Sequence, residues 1–259
     1  MAERLTASTA AHWVRRWELQ QERYATDREE RFTVIADVVE QATADSRRPL
    51  LADLGCGPGS LATRLAARLP DAEIVAVDCD PLLLELGRRH PGTTGQGSAV
   101  RYTDARIGQD GWTEQLGLKG RRLDAAVSTT ALHYPSEREL LEIYAALATL
   151  LRPGGVLVNG DHLGQPNPSV AALAARVGRR RADRLGVRGH ENWEEWWTAA
   201  ARAPELAPLL AERHARGLGP GADNGLNVKD HQDLLAEAGF SAAGPVWQYG
   251  SSCVLVAVR

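Results

Sequence analysis

Between residues 50 and 158 short, nearly continuous apolar runs alternate with longer stretches in which apolar residues recur every three or four positions. Leu50-Leu51-Ala52-Asp53-Leu54 reads as a buried strand, followed by a helix from Leu61 to Leu69 that Pro70 cannot continue. Ile74-Val75-Ala76-Val77 is a second strand. Asp80-Pro81 then opens a helix, with Asp80 as N-cap, Pro81 in the first turn and Leu82, Leu83, Leu84 and Leu86 as its apolar body. Residues 91 to 98, rich in Gly and Thr, read as a loop, Val100-Arg101-Tyr102 as a third strand and Leu123 to Ser128 as a fourth. Residues 137 to 151 place Leu140, Leu141, Ile143, Leu147 and Leu151 on the buried side of a helix; Arg152-Pro153-Gly154-Gly155 ends it, and Val156-Leu157-Val158 is a fifth strand. This alternation predicts an α/β fold with a parallel, doubly wound sheet.

The flanks follow other periods. Residues 12 to 24 carry Trp13, Trp17 and Tyr24 among charges near helical spacing, and Arg31 to Ala44 has Phe32, Ile35, Val38 and Val39 on one face. From Gly160 to Asn227 no strand is evident, and helix-like pieces span Val170 to Leu185, Glu191 to Ala203 and Glu205 to Arg216. The first of these carries Arg176, Arg179, Arg180, Arg181 and Arg184, read as a solvated face. The second sets Trp193 and Trp197 one helical turn apart, either as local core or as walls of an acceptor pocket. A helix from Asp230 to Ala238, stopped at Gly239, and strands at 246–249 and 252–258 complete the pattern. The expected organisation is a helical segment over 1–45, an α/β core over 46–159 and 228–259, and a helical cap over 160–227.

Composition narrows the partners. A net charge of −3 gives no overall pull toward nucleic acid or acidic membranes, and no apolar run approaches the ~20 residues of a membrane span. Met1 to Leu5 lacks the apolar core of a signal peptide, so a cytoplasmic location is expected. Cys56, Cys79 and Cys253 have neither metal-ligand spacing nor an even number for disulfides, and are expected as reduced thiols.

The chemistry concentrates after the first strand. Gly55-Cys56-Gly57-Pro58-Gly59-Ser60 is a tight turn whose glycines let backbone N–H groups approach a ligand, at the start of a helix. Asp78 ends the second strand, where a carboxylate can accept from both hydroxyls of a ribose. A dinucleotide or S-adenosyl-L-methionine would suit such a pair, but Ser60 stands where the dinucleotide fingerprint has its third glycine.

Asp53-Leu54-Gly55-Cys56-Gly57-Pro58-Gly59, with Asp78 beyond it, resembles the first two motifs of the class I, Rossmann-like S-adenosyl-L-methionine-dependent methyltransferases. Thr129-Thr130-Ala131-Leu132-His133-Tyr134 and Leu151-Arg152-Pro153-Gly154-Gly155 are similar to later segments of the same family. The resemblance covers roughly 50–158 and 228–259. It implies a seven-stranded sheet whose last strand is antiparallel, an amino-terminal helical segment over the ligand and an acceptor-recognising insertion after the fifth strand. It further implies donor contacts from Asp53, Gly55, Gly57 and Gly59 near the methionine part, Asp78 on the ribose, Cys79 and Ala105 beside the adenine, Asp104 on its amino group, and Ser128 at the fourth strand's end. Gln21, Tyr24, Arg28 and Arg31 are candidates for the methionine carboxylate, with Tyr24 and Arg28 put forward.

Methyl transfer from a sulfonium needs alignment and dryness, and a base only where the acceptor must lose a proton. His133 and His162 are the candidate bases, Tyr134 a group to orient the acceptor, and Trp193 and Trp197 candidate acceptor contacts. No Asp/His cluster suggests a metal, so the expected enzyme is a metal-independent methyltransferase acting on a small molecule, with natural-product metabolism as a plausible setting and S-adenosyl-L-homocysteine as product. The alternatives are a donor-binding protein that performs another reaction or serves as a scaffold, and, with less support, an NAD-dependent oxidoreductase.

Overall fold

The computed structural model describes residues 5–90, 99–219 and 221–259, so the loop expected at 91–98 lies outside the described residues. Its elements are α1 (Ala7–Tyr24), α2 (Arg28–Ala42), β1 (Leu50–Leu54), α3 (Ser60–Arg68), β2 (Glu73–Asp78), α4 (Pro81–Arg89), β3 (Ala99–Asp104), α5 (Trp112–Gln115), β4 (Leu123–Thr129), α6 (Glu137–Leu150), β5 (Leu151–His162), α7 (Pro168–Leu185), α8 (Trp193–Ala201), α9 (Ala207–Ala215), α10 (Val228–Glu237), β6 (Ala242–Tyr249) and β7 (Ser252–Val258). The seven strands form one sheet in the order β3-β2-β1-β4-β5-β7-β6. β1 to β5 run parallel, and β7 is antiparallel to both β5 and β6. Strand order reverses between β1 and β4, which places a ligand crevice at the carboxyl ends of these strands.

Local chemistry explains the borders. Asp80 caps α4 by accepting from the N–H groups of Leu82 and Leu83. Reciprocal capping boxes start α6 (Ser136 and Glu139), α8 (Asn192 and Glu195) and α10 (Asn227 and Asp230). One face of the sheet packs Leu54, Ala126, Leu157 and Leu255 against Leu140, Ile143 and Leu235 of α6 and α10. The other packs Leu51, Ile74, Val127 and Val158 against Phe32, Ile35 and Val39 of α2 and Leu65 of α3. A third cluster joins Trp13 of α1, Leu82 and Leu86 of α4, and Trp196 and Ala200 of α8.

Several borders differ from the pattern-based expectation. β5 runs from Leu151 to His162, well beyond 156–158 at both ends. Its pairing with β4 jumps from Leu123↔Leu151 to Ala125↔Val156, so Arg152 to Gly155 bulge out near the start of the strand. A Cβ at Gly155 would lie 2.9 Å from the Arg152 carbonyl oxygen and 3.0 Å from that of Asp124, which is why this bulge takes glycine. β6 begins at Ala242, ahead of the expected 246, because Gly244 and Pro245 are tolerated on an edge strand with a bulge. Gly164 pairs with Asn227, a bridge inside the stretch where no strand was evident. The arginines of α7 are not all solvated: Arg181 pairs with the buried Asp27 and with Glu30, and stacks 4.6 Å from the Tyr249 ring. Among the described residues no helix is long and apolar enough to cross a membrane.

Candidate active site

The glycine turn leaves β1 with Gly55, Gly57 and Gly59 at φ of 70°, 54° and 87°, the left-handed region. The N–H groups of Gly55 and Cys56 both donate to the Val77 carbonyl, which ties the turn to β2. A Cβ at Gly59 would collide with the Tyr102 ring, whereas one at Gly57 would meet Trp17 at 3.8 Å and Leu83 at 4.0 Å. The space above Gly57 is therefore open to ordinary contact, a cradle at the start of α3.

Two carboxylates frame this cradle. Asp53 is fully buried; its Oδ2 accepts from Ala62 N–H at 3.1 Å, while its Oδ1 has no partner among the described residues. Burial pushes its carboxyl up to about 7, against the Ala62 hydrogen bond and helped by the charge of Asp78. Asp78, half-buried at the tip of β2, accepts from Gly57 N–H at 2.8 Å and from Asp80 N–H at 2.9 Å. Burial raises its carboxyl more than these two bonds lower it. Each oxygen holds one backbone N–H and keeps a lone pair for a further donor.

Asp104 lies beside Asp78 in the β2–β3 register. It does not stand open: both its oxygens accept from the Arg216 guanidinium, at 2.7 and 2.8 Å, and the same arginine donates to the Cys79 carbonyl at 3.0 Å. Arg216 follows α9 directly, so the helical segment after β5 closes one side of a cleft of about 360 Å³ lined by Cys79, Asp104, Ala105 and Arg106. Arg213, from α9 itself, donates to Asp80 at 2.6 Å and lies 4.0 Å from the Trp197 ring. Burial pushes the Cys79 thiol up to about 11.

At the ends of β4 and β5 the structure joins residues that the sequence reading kept apart. His133 Nδ1 lies 3.0 Å from both oxygens of Asp161, whose Oδ1 also accepts from His162 N–H at 2.8 Å. In the neutral ring this contact assigns the proton to Nδ1 and leaves Nε2 as an acceptor. Burial pulls the imidazolium down, but the hydrogen bond and charge of Asp161 outweigh it, and His133 titrates above its ordinary range. Tyr134 is exposed, with its ring 4.1 Å from that of His133. Asn224, which no motif announced, clamps the loop by donating from its side chain to Leu132 and Pro135 carbonyls and from its N–H to that of His133.

His162 is the last residue of β5, not a residue beyond it. Its Nε2 lies 3.3 Å from Arg31 Nη2 and its Nδ1 3.3 Å from Ser251 Oγ. Burial, reinforced by Arg31, pulls the ring down to about 4. Both ring nitrogens thus face protein neighbours, unlike Nε2 of His133. Ser128 is fully buried and donates to the Leu54 carbonyl at 2.8 Å, a cross-link within the sheet.

The amino-terminal candidates each have protein partners. Tyr24 is exposed and accepts from Trp193 N–H at 3.1 Å. Arg28 is buried against Glu18, which also binds Ser60 and Arg64. Arg31 donates to Gly160 O at 3.3 Å and Ser252 Oγ at 2.6 Å. Gln20, fully buried in α1 with neither amide atom partnered among the described residues, was not among the candidates. Trp196 is fully buried against Trp13 and Trp17 at ring distances of 5.5 and 5.1 Å, whereas Trp193 and Trp197 are half-buried. The cluster thus reaches the cradle through Trp17.

A family model described as a methyltransferase domain matches residues 51–155. The chain is similar to the trans-aconitate 2-methyltransferase of Methylobacterium radiotolerans, 30% identical over 229 residues, 87% of this chain and 69% of that protein. The enzyme of the same name from Rhodococcus jostii is 37% identical over 224 residues, 66% of this chain and 82% of that protein. For the Streptomyces coelicolor enzyme of that name the match covers only 41% of its length. Among solved structures, human N-acetylserotonin methyltransferase in complex with S-adenosyl-L-methionine superposes with a TM-score of 0.53 at 16% identity, over 94% of this chain and 56% of that one. A likeness at that identity speaks for the fold alone.

Proposed function

Since the chain belongs to the class I S-adenosyl-L-methionine-dependent methyltransferases, we propose that it methylates a small-molecule acceptor bearing an ionisable hydroxyl, with His133 as general base and Asp161 as the group that orients it. The observation that carries this reading is the contact of His133 Nδ1 with both Asp161 oxygens, which turns Nε2 to the opposite side as a proton acceptor. The donor fits the residues present. The orphaned Oδ1 of Asp53 suits an ammonium, the open cradle at Gly57 suits the methionine chain, and the spare lone pairs of Asp78 suit ribose hydroxyls. Cys79, Ala105 and Asp104 would flank the adenine.

When bound, S-adenosyl-L-methionine supplies an electrophilic methyl group on a sulfonium. The protein's part is to hold, dry and deprotonate the acceptor. His133 Nε2 takes the acceptor proton while Asp161 keeps Nδ1–H in place and stabilises the imidazolium. Tyr134 stands beside the ring as an orienting hydroxyl, and the half-buried Trp193 and Trp197 supply apolar wall.

A second reading comes from the relatives' printed activity: the acceptor is a carboxylic acid, as trans-aconitate is. A carboxylate needs no base, and a protonated His133 would then serve as its counter-ion. The pH profile separates the two, because the Asp161 partner lifts His133 above its ordinary value. As a base, His133 must be neutral, so turnover climbs as pH rises through that lifted value; as a counter-ion it must be charged, so turnover falls across the same interval. Formation of S-adenosyl-L-homocysteine should be followed with a panel of phenols and carboxylic acids that includes trans-aconitate. For a hydroxyl acceptor, His133→Ala should lower turnover by roughly 10²–10⁴-fold with product affinity unchanged. An unaltered rate would remove the base, and no turnover of the donor with any acceptor would favour a binding protein over an enzyme.

A further inference from the structure

Behind the His133–Asp161 pair lies a group of buried polar side chains that methyl transfer as described does not use. Asn159 and Asp161 are two apart in β5, so their side chains leave the same face of the strand. That face also carries Leu157 and packs beneath α6 and α10. Asn159 is 1% exposed, and neither its nitrogen nor its oxygen has a partner among the described residues. His231 of α10 is equally buried; its Nδ1 lies 2.7 Å from the Tyr144 hydroxyl of α6, and its Nε2 has no partner among the described residues. Since burial lowers the pKa of the His231 ring, the neutral form dominates, and a Tyr144 hydroxyl donating to Nδ1 leaves Nε2–H as a donor.

Among the described residues, three polar atoms are thus left without protein partners in one apolar layer: two on Asn159 and one on His231. A buried donor or acceptor left unbound is destabilising, and native interiors meet such demands with ordered water. The Asp161 carboxylate is felt here: after burial, its charge is the next contribution raising the Tyr144 hydroxyl, and it opposes the burial that lowers His231. We propose that Asn159, His231 and Tyr144 hold a buried water site behind Asp161, and act as positioning residues that set the proton affinity of His133 through that carboxylate. The catalytic consequence rests on His133 being the base; the electrostatic linkage does not.

The physical link is charge sharing. Water fixed by Asn159 and by His231 Nε2–H donates to Asp161 and disperses its negative charge, which weakens the pull of the carboxylate on the His133 proton. Removing those anchors concentrates the charge on the His133 contact and raises the imidazole further. The other charged and titratable groups facing His133 are Arg31 of α2, His162 of β5, Asp223 ahead of α10 and Tyr134 in its own loop; Cys253 of β7 lies near Asp161. None of them is altered by the variants below.

Histidine-ring NMR titration reads the proton affinity of His133 directly, without knowledge of the acceptor, its signals being assigned by their loss in His133→Gln. Asn159→Leu should raise the His133 pKa by about half a unit to one unit, and Tyr144→Phe by less, the scale of a lost hydrogen-bonded neighbour. Binding of S-adenosyl-L-homocysteine at wild-type affinity certifies that each variant is folded. A folded Asn159→Leu whose His133 titrates as in the wild type overturns the proposal. Should that variant not fold, Tyr144→Phe, which removes one oxygen, decides alone by the same criterion. Normal turnover in His133→Ala would reject the base assignment while leaving the titration result standing.

Discussion

The donor end of the site and the helices between β5 and α10 are held together in different ways. Around the glycine turn, carboxylates bind main chain: Asp53 takes Ala62 N–H, Asp78 takes Gly57 and Asp80 N–H, and Asp80 takes Leu82 and Leu83 N–H. The helical segment is held by distant side-chain pairs, Arg16 to Glu191, Arg181 to Asp27, Arg213 to Asp80 and Arg216 to Asp104, around one buried indole, Trp196. A site built on backbone is encoded in a few adjacent residues and resists change outside them. A segment built on side-chain meetings spreads its stability over many small contacts, and its surface is open to substitution.

Substitutions that break this contrast can be ordered by expected size. Gly57→Val should act most strongly, because a branched side chain strains the turn at φ 54° and fills the cradle. Calorimetry should find S-adenosyl-L-homocysteine binding abolished in a protein that still melts cooperatively; wild-type affinity would show that the turn is not a ligand surface. Trp196→Ala should cost about 3–5 kcal/mol of stability, the range for a deleted buried aromatic, with donor affinity kept in the folded fraction. Trp193→Ala, at a half-buried position, should cost less stability and more turnover; equal losses of stability would make both residues core.

Asp78→Ala comes next, with donor affinity reduced by about 1.5–3 kcal/mol, as for hydrogen bonds to a charged group. An unchanged titration would detach the tip of β2 from the ribose. The smallest effect is expected from Arg216→Ala, which breaks a half-exposed ion pair worth less than about 1 kcal/mol. If its effect on donor affinity rivals that of Asp78→Ala, α9 belongs to the donor site and the contrast drawn above fails.

The same contrast explains what could be read in advance. β1 and β7 start and stop where their apolar runs do, and Asp80-Pro81 opens α4, because each signal sits within a few residues of what it controls. The pairing of His133 with Asp161 crosses 28 residues and depends on where two neighbouring strands end, so no spacing rule contains it. Arg216 and Asp104 are 112 residues apart, and the only hint was an arginine at the end of a helix. Gly244-Pro245 carries no strand signal of its own, because edge position, which suspends the rule against proline, is a property of the sheet and not of the segment. Gln20 and Asn159 carry no motif; burial of an amide without partners becomes visible only after folding.

The place of β7 also matters for how the molecule comes into being. Ser252–Val258 follows every other strand in sequence, yet it lies inside the sheet, between β5 and β6. During synthesis the hydrogen-bonding edge of β5 therefore waits, apolar and unpaired at Val156 to Val158, until nearly a hundred further residues have been added. Over that interval a ribosome-bound chain presents a ready template for mispairing with neighbouring chains, and β6 has no strand to dock on. Completion of the sheet is thus a late, long-range closure, the kind that sets a slow folding rate and makes yield sensitive to temperature during expression.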